Sequence, residues 1–250
     1  MSNRTVENTT AIVTGASRGF GRAIARELVH AGARVVGVAR SEPGLSDLRQ
    51  ELGGRFEFEV ADAADPGLPG RLFAAHHPQI VVLNAGAKAV IGPLQEQTWE
   101  TFSTNWDSDV RQVFNFARAS LLVPLEPGSV VVTISSAAAL RGSPLSGGYA
   151  GAKATVRFIS AYAGAEATLR SLGQRHVAIL PVLTPATDLG AAGVAAYAER
   201  AGLSVEAFED QLGPVLTPEH VAKTLAGVAA DDSYSAAAYL LTATEFRPVD

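Results

Sequence analysis

The chain has 250 residues, of which 47% are hydrophobic and 18% are charged, with a net charge of −5 and no cysteine. This composition predicts a globular protein with a sizeable core, and it argues against disorder and against nucleic acid as the main partner. Disulfides, zinc thiolates and cysteine nucleophiles are excluded, and no metal site is predicted.

Apolar runs typical of buried strands alternate with helical segments along the chain. The predicted strands are 10–14, 34–39, 56–60, 80–84, 129–135, 176–182 and 238–242. The predicted helices are 19–31, 45–52, 66–75, 97–122, 149–172, 192–201, 204–212 and 217–230. This alternation predicts an α/β fold, a doubly wound parallel sheet of the Rossmann type, as one domain over residues 1–250.

Two stretches bear on access and location. Residues 185–216 contain no predicted strand and two short helices, so we interpret them as an insertion that forms a substrate lid. The first ten residues lack an apolar signal core, and no apolar run is long enough to span a membrane. We therefore expect a cytoplasmic protein.

A glycine-rich turn joins the first strand to the first helix in TGASRGFG, residues 14–21. Glycines at 15, 19 and 21 would let the backbone approach a pyrophosphate at the helix N-terminus. A turn that merely permits close helix packing is the alternative. Arg18 in the turn and Arg40 after the second strand favour the 2′-phosphate of NADP, since an NAD site usually has an acid there. Two solvated arginines are the alternative.

Tyr149 and Lys153 stand four residues apart at the start of a predicted helix, so they share one face. A phenol is a weak base at neutral pH because its ordinary pKa is about 10. A neighbouring ammonium favours the phenolate, which makes the pair a workable general acid and base.

Four sequence motifs occur along the chain in the order that is typical of a known protein family. They are TGASRGFG (14–21), NAGA (84–87), ISS (134–136) and YAGAK (149–153), and Ser136 precedes Tyr149 by 13 residues. With these motifs the sequence resembles the short-chain dehydrogenase/reductase family over residues 8–190.

The resemblance implies roles for individual side chains. Tyr149 would exchange a proton with the substrate oxygen, and Ser136 would hydrogen-bond that oxygen. Ser135 is the competitor, but strand alternation points the two serines to opposite faces and the spacing favours Ser136. Lys153 would hold the nicotinamide ribose hydroxyls and favour the phenolate.

Further positions would bind the cofactor. Asp62 would accept from the adenine amino group, although it could equally be a turn or cap acid. Thr187 would reach the nicotinamide carboxamide, with Thr184 as a competitor. The predicted cofactor-binding set is Gly15, Ser17, Arg18, Gly19, Phe20, Gly21, Arg40, Asp62, Ala63, Asn84, Ala85, Gly86, Tyr149, Lys153 and Thr187.

Two positions depart from the family pattern, and one is Val182, which stands where the family usually has a glycine after strand six. The other bears on catalysis. The family usually has an asparagine about 27 residues before its serine, where this chain has Asp109, and Asn105 and Asn115 are out of register. We predict that Asp109 replaces that asparagine by contacting Lys153. The alternative is that it only caps or solvates the helix.

These observations predict an NADP(H)-dependent oxidoreductase, with NAD(H) also possible, that acts on a small-molecule carbonyl or alcohol. Its catalytic residues would be Ser136, Tyr149, Lys153 and Asp109. A homo-oligomer, dimer or tetramer, is expected because helices 97–122 and 149–172 have apolar residues on more than one face. The alternative function is a non-catalytic dinucleotide-binding regulator on the same fold.

Overall fold

A computed structural model describes residues 5–249 and shows one central sheet covered by helices on both faces. The strands run in the order β3-β2-β1-β4-β5-β6-β7-β8, and all pairs are parallel except β7 with β8. Strand order reverses between β1 and β4, which is the switch point where doubly wound sheets open a crevice for ligands. The predicted fold class is therefore confirmed.

The strands have the following bounds: β1 Thr10–Thr14, β2 Arg34–Ala39, β3 Phe56–Val60, β4 Ile80–Leu83, β5 Val130–Ile134, β6 Arg175–Pro181, β7 Ala238–Leu241 and β8 Phe246–Pro248. Seven of them match predicted strands. Most of these are apolar runs buried on both faces, whereas the edge strand β3 alternates Phe and Glu and is partly exposed. The three-residue β8 was not predicted.

The helices have the following bounds: α1 Gly19–His30, α2 Pro43–Leu52, α3 Leu68–His76, α4 Trp99–Asn105, α5 Arg111–Leu122, α6 Ala138–Arg141, α7 Gly148–Leu169, α8 Asp188–Ala201, α9 Val205–Leu212 and α10 Pro218–Ala230. Helix α6 was not predicted. The single helix expected over 97–122 was wrong in one respect, because the π-helical turn Trp106–Val110 separates α4 from α5.

Two apolar layers hold the sheet. One face packs on α1, α2 and α10 through residues such as Ile24, Leu48 and Leu225, and the other packs on α3, α5 and α7 through Phe116 and Val156. Helix α7 therefore lies flat on β5 and β6, which fixes the height of its first turn at the carboxyl edge of the sheet. Among the described residues, no helix is long and apolar enough to cross a membrane.

Candidate active site

The glycine-rich turn opens onto a large cavity at the carboxyl edge of the sheet. The cavity has a volume of about 1240 Å³ and includes Gly15, Ser17, Arg18, Gly19 and Phe20 in its wall. Helix α1 begins at Gly19 without a side-chain cap, so its first N–H groups remain available to an anion. These features fit a dinucleotide pyrophosphate.

The three glycines of the turn have different reasons to be glycine. Gly15 has φ of +68°, and a Cβ there would lie 2.8 Å from Asn84 Nδ2. A Cβ on Gly21 would overlap the Gly15 carbonyl oxygen, so close packing alone explains this position. Gly19, with φ of +53°, meets only the Thr187 methyl at 3.9 Å and leaves the backbone open toward the cavity.

The two arginines predicted to face a 2′-phosphate have different surroundings. Arg18 Nη1 lies 3.3 Å from Asp188 Oδ2 at the start of α8, and both side chains are exposed. Arg40 is exposed in the cavity wall, and no carboxylate among residues 5–249 pairs with it. Of the two, Arg40 is the side chain with a free charge.

The segment that follows β4 is fastened to β1 and lies in the same wall. Asn84 Nδ2 donates to the Thr14 carbonyl oxygen at 3.0 Å, and the backbone N–H groups of Asn84 and Ala85 donate to Thr14 Oγ1. Asp62 Oδ1 accepts from the Ala64 N–H at 3.0 Å, so Asp62 is a turn acid as well as a cavity residue. Ala63, Ala85 and Gly86 also line the cavity.

A buried ion pair lies at the base of the cavity. Lys153 Nζ is 3.0 Å from Asp109 Oδ2, and the two side chains are 7% and 2% exposed. Lys153 Nζ also donates to the Ile134 carbonyl oxygen at 3.1 Å and lies 5.7 Å from the centre of the Tyr149 ring. Asp109 therefore contacts Lys153 directly rather than only capping its helix.

The ion pair keeps Lys153 charged. Burial on its own lowers the pKa of the Lys153 ammonium, but the attraction of Asp109, followed by that of Tyr149, outweighs burial and raises the pKa above its ordinary value. The ammonium is thus a fixed positive charge beside the phenol of Tyr149.

Three side chains of the α4–α5 region form hydrogen bonds with the backbone of the segment after β4. Asn105 Nδ2 donates to the Ala87 carbonyl oxygen at 3.1 Å, Asp109 Oδ1 accepts from the Ala87 N–H at 2.9 Å, and Gln112 Nε2 donates to the Ala85 carbonyl oxygen at 2.8 Å. The π-helical turn carries Asp109 in the middle of this set, and such turns are frequent at functional sites. Sequence reasoning missed Asn105 and Gln112 in this role, although their spacing of four and three residues from Asp109 was a usable signal.

The structure separates the two serines after β5. Ser135 is buried, and its Oγ donates to the Lys153 carbonyl oxygen at 2.8 Å, which ties β5 to α7. Ser136 and Tyr149 both line the cavity. The predicted choice of Ser136 over Ser135 agrees with this geometry.

The two threonines after β6 also differ. Thr184 is buried and donates to the Leu216 carbonyl oxygen at 2.7 Å, so its hydroxyl serves the fold. Thr187 caps α8 by accepting from the Gly190 N–H at 3.1 Å, and it lies in the cavity wall opposite Gly19.

The insertion adds an aromatic wall that the sequence did not predict. Tyr197 of α8 stacks on Phe208 of α9 with ring centres 6.3 Å apart and an interplanar angle of 12°. The Tyr197 hydroxyl is hydrogen-bonded to Ser143 Oγ, which itself lies 2.8 Å from Ser146 Oγ. The insertion thus contacts the loop that leads into α7.

Strand order, the open glycine turn and the Tyr149–Lys153–Asp109 cluster together define a dinucleotide-binding protein with a doubly wound sheet. The family model described as short chain dehydrogenase matches residues 9–192, which is most of the chain. The protein belongs to this family, as its motifs predicted.

Curated relatives agree with this assignment. L-xylulose reductase from Bos taurus is 35% identical over 135 residues, covering 53% of this chain and 54% of the relative. Serine 3-dehydrogenase from Agrobacterium fabrum is 32% identical over 158 residues, covering 60% and 63%. The chain thus spans less than two thirds of the length of these relatives. A 3-oxoacyl-acyl-carrier-protein reductase from Salmonella typhimurium is 27% identical over 236 residues, covering 91% and 92%.

Solved structures share the fold. L-sorbose reductase from Gluconobacter frateurii, in complex with NADPH and L-sorbose, matches with a TM-score of 0.80 at 20% identity and covers 97% of this chain and 98% of its own. A 3-ketoacyl-(acyl-carrier-protein) reductase from Brucella melitensis, in complex with NADH, has a TM-score of 0.76 at 23% identity and covers 94% and 96%. At these identities the likeness establishes the fold.

Proposed function

We propose that this protein is an NADP(H)-dependent oxidoreductase that interconverts a carbonyl and a secondary alcohol. The observation that carries the proposal is the buried Lys153–Asp109 pair beside Tyr149, in a cavity that also contains Ser136 and the open N-terminus of α1. Relatives of the chain that are named reductases and dehydrogenases support it.

Tyr149 is the proton donor in carbonyl reduction and the acceptor in alcohol oxidation. When bound, the nicotinamide supplies or accepts the hydride. Ser136 holds the substrate oxygen by a hydrogen bond, so the oxygen stays within reach of the phenol. General acid–base catalysis of this kind contributes about 10²–10⁴-fold to the rate.

Lys153 has two tasks in this mechanism. Two of its three N–H bonds are used by the Ile134 carbonyl oxygen and by Asp109 Oδ2. The third remains for the hydroxyls of a nicotinamide ribose, and the positive charge favours the phenolate of Tyr149.

Asp109 is a positioning residue. Its Oδ2 holds the Lys153 ammonium, while its Oδ1 holds the Ala87 N–H at 2.9 Å. A carboxylate here fixes the ammonium more firmly than a neutral amide would, because the hydrogen bond is charge-assisted. The same negative charge offsets part of the positive field at Tyr149.

The preference for NADP(H) rests chiefly on Arg40, because Arg18 is engaged with Asp188. The planar guanidinium of an arginine at the end of β2 can donate two hydrogen bonds to two oxygens of one phosphate. NAD(H) is the competing cofactor, and the relatives include structures with either one.

We further propose that residues 185–216 act as a lid and that the chain forms a homo-oligomer. The lid contacts the body of the protein through the Ser143–Tyr197 and Arg18–Asp188 pairs. On α7, Phe158 is 64% and Tyr162 58% exposed, with ring centres 5.9 Å apart. A second copy of the chain is the occupant we propose for this apolar helix face.

The test is NADPH oxidation with a panel of neutral and charged carbonyl compounds, comparing the parent with Tyr149→Phe. Turnover should fall at least about 100-fold while the Kd for NADPH stays unchanged, because the ring still packs and only the proton donor is lost. Tyr162→Phe on the same helix is the matched control, because it removes a phenol hydroxyl outside the cavity and keeps the ring at the proposed interface.

Turnover by Tyr149→Phe within a few-fold of the parent would show that another group moves the proton. Cofactor binding without turnover of any panel member would favour the non-catalytic regulator.

A further inference from the structure

The charges in the cavity wall do not balance. Five basic side chains and three acidic ones line it: Arg18, Arg40, Lys88, Arg141 and Lys153 against Asp62, Asp109 and Asp188. Asp109 is bound to Lys153 at 3.0 Å, and Asp188 lies 3.3 Å from Arg18. Arg40 and Asp62 also line a smaller hollow of about 520 Å³ beside α4, and Arg40 is the side chain assigned above to the cofactor 2′-phosphate. Lys88 and Arg141 are the other two cations without a carboxylate partner among residues 5–249.

Lys88 and Arg141 are exposed in the cavity wall, and each lies on a segment that contacts the chain near Tyr149. Lys88 follows Ala87, whose N–H donates to Asp109, and the same segment reaches Gly92, whose N–H donates to the Leu145 carbonyl oxygen at 3.2 Å. Leu145 lies four residues before Tyr149. Lys88 therefore lies on a strip of chain that runs from the buried ion pair to the loop before Tyr149.

Arg141 approaches from the other direction. It ends α6, the short helix after Ser136, and both residues line the cavity. The next residue, Gly142, contacts α7, since a Cβ there would lie 3.4 Å from the Ala150 Cβ. Arg141 is thus one residue from a contact with the neighbour of Tyr149.

Another part of the cavity wall is uncharged. Tyr197 and Phe208 present stacked rings, and the Tyr197 hydroxyl is hydrogen-bonded to Ser143. Leu145, Leu183 and Gly193 also line the cavity. The substrate end of the cavity therefore combines an apolar wall with two unpaired cations, and a low-dielectric wall strengthens the field of such cations.

We propose that the substrate carries an anionic group, a carboxylate or a phosphate, which Arg141 binds with the help of Lys88. Arginine offers a planar pair of donors to such a group, and lysine adds a mobile point charge. This inference rests on the proposed function, because it assigns the charge of the compound that Tyr149 acts on.

The first measurement needs no turnover. Calorimetry on the protein saturated with NADP⁺ compares pentanoate with the neutral pentanamide. We expect pentanoate to bind roughly tenfold more tightly, which is the scale of one charge-assisted hydrogen bond at a partly exposed site. Arg141→Gln and Lys88→Gln should each remove most of that difference. Arg118→Gln and Lys223→Gln, exposed positions on α5 and α10, are the matched controls and should leave it intact.

The second measurement uses 2-, 3- and 4-oxopentanoate and their methyl esters as substrates. One of the three carbonyl positions should give the highest kcat/KM in the parent. At that position, KM should be lower for the acid than for its methyl ester. Arg141→Gln should raise KM for that acid roughly five- to tenfold, with kcat and the constants for the ester within threefold of the parent. The same comparison for phosphate uses dihydroxyacetone phosphate and dihydroxyacetone. If the ratio of KM values is larger for this pair than for acid and ester, phosphate is the anion that the site binds.

Equal binding of pentanoate and pentanamide, or an equal effect of Arg141→Gln and Arg118→Gln, would overturn the inference. If esters are reduced as well as acids, the proposed function stands and the anionic substrate is wrong. If pentanoate binds in an Arg141-dependent way while no carbonyl compound is turned over, the anion site stands and the proposed function is wrong.

Discussion

Protonation of His176 should lower the free energy of unfolding between pH 7 and pH 5, which is above the range in which ordinary carboxylates titrate. The side chain lies on β6 beneath α7, is 6% exposed, and has no hydrogen-bond partner for either ring nitrogen among the described residues. Burial lowers its pKa from 6.5 to about 4, because the charged imidazolium would lose its hydration there.

Proton linkage gives the sign and the size of this change in the free energy of unfolding. The unfolded chain takes up a proton at His176 near pH 6.5, whereas the folded protein does so only near pH 4. The contribution of His176 is therefore fully present above pH 6.5 and is lost as the pH falls toward 4. Each pKa unit corresponds to about 1.4 kcal/mol, so the total loss is about 3 kcal/mol, and about 2 kcal/mol of it falls between pH 7 and pH 5.

Urea unfolding at pH 7.0, 6.0, 5.5 and 5.0 measures this loss as a fall in the free energy of unfolding. His176→Leu should lack about 2 kcal/mol of the fall, because an apolar side chain has no proton to take up. His30→Gln, an exposed histidine at the end of α1, serves as the control and should keep the slope of the parent. An unchanged slope in His176→Leu would refute the reasoning. The result matters for activity because α7, which carries Tyr149 and Lys153, lies directly over His176.

Three further predictions concern the site and the assembly. Asp109→Asn should shift two limbs of the kcat/KM profiles to lower pH, the acidic limb for alcohol oxidation and the basic limb for carbonyl reduction, because without the carboxylate the Lys153 ammonium favours the phenolate more strongly; superimposable profiles would make Asp109 a structural residue. Arg40→Ala should abolish a preference for NADPH over NADH of about tenfold or more, as measured by the two Kd values; equal Kd values in the parent would show Arg40 to be merely solvated. Phe158→Glu should dissociate the homo-oligomer in sedimentation experiments at micromolar concentration, while Leu94→Glu, also exposed, should not; a monomeric parent would contradict the proposed interface.

Much of the fold could be predicted from the sequence because most strands are short apolar runs, and β3 shows the alternation of apolar and charged residues that is typical of an edge strand. β2 and β3 have their predicted bounds, and β1 does as well. β8 was not predicted because its three residues, one of which is Pro248, are too few to show a period. It forms a strand through its pairing with β7. The continuous helix over 97–122 was wrong because a π-helical turn leaves the apolar pattern almost unchanged.

The site was predictable where residues are close in sequence. Tyr149 and Lys153 share one helix, and the spacing favours Ser136 over Ser135. Both serines line the cavity, but the Ser135 hydroxyl donates to the Lys153 carbonyl oxygen. The pairing of Arg18 with Asp188 was not predictable, because the two residues are 170 positions apart and meet only when the insertion folds back. The hydroxyl contact between Ser143 and Tyr197 has the same origin, so the sequence alone could not show what closes the substrate end.

The π-helical turn at Trp106–Val110 limits how the chain can vary in length. An α-helix advances about 100° for each residue, and a π turn is equivalent to one residue added to a regular helix. A deletion of one residue in this turn would still permit an uninterrupted helix, yet it would rotate Asn105 by about 100° relative to Gln112. The two could then no longer hold the same segment after β4, and the carboxylate between them would leave Lys153. Alignments of related chains should therefore show substitutions at the positions of this turn other than Asp109 more readily than gaps, because the site depends on the number of residues there and on the carboxylate of Asp109.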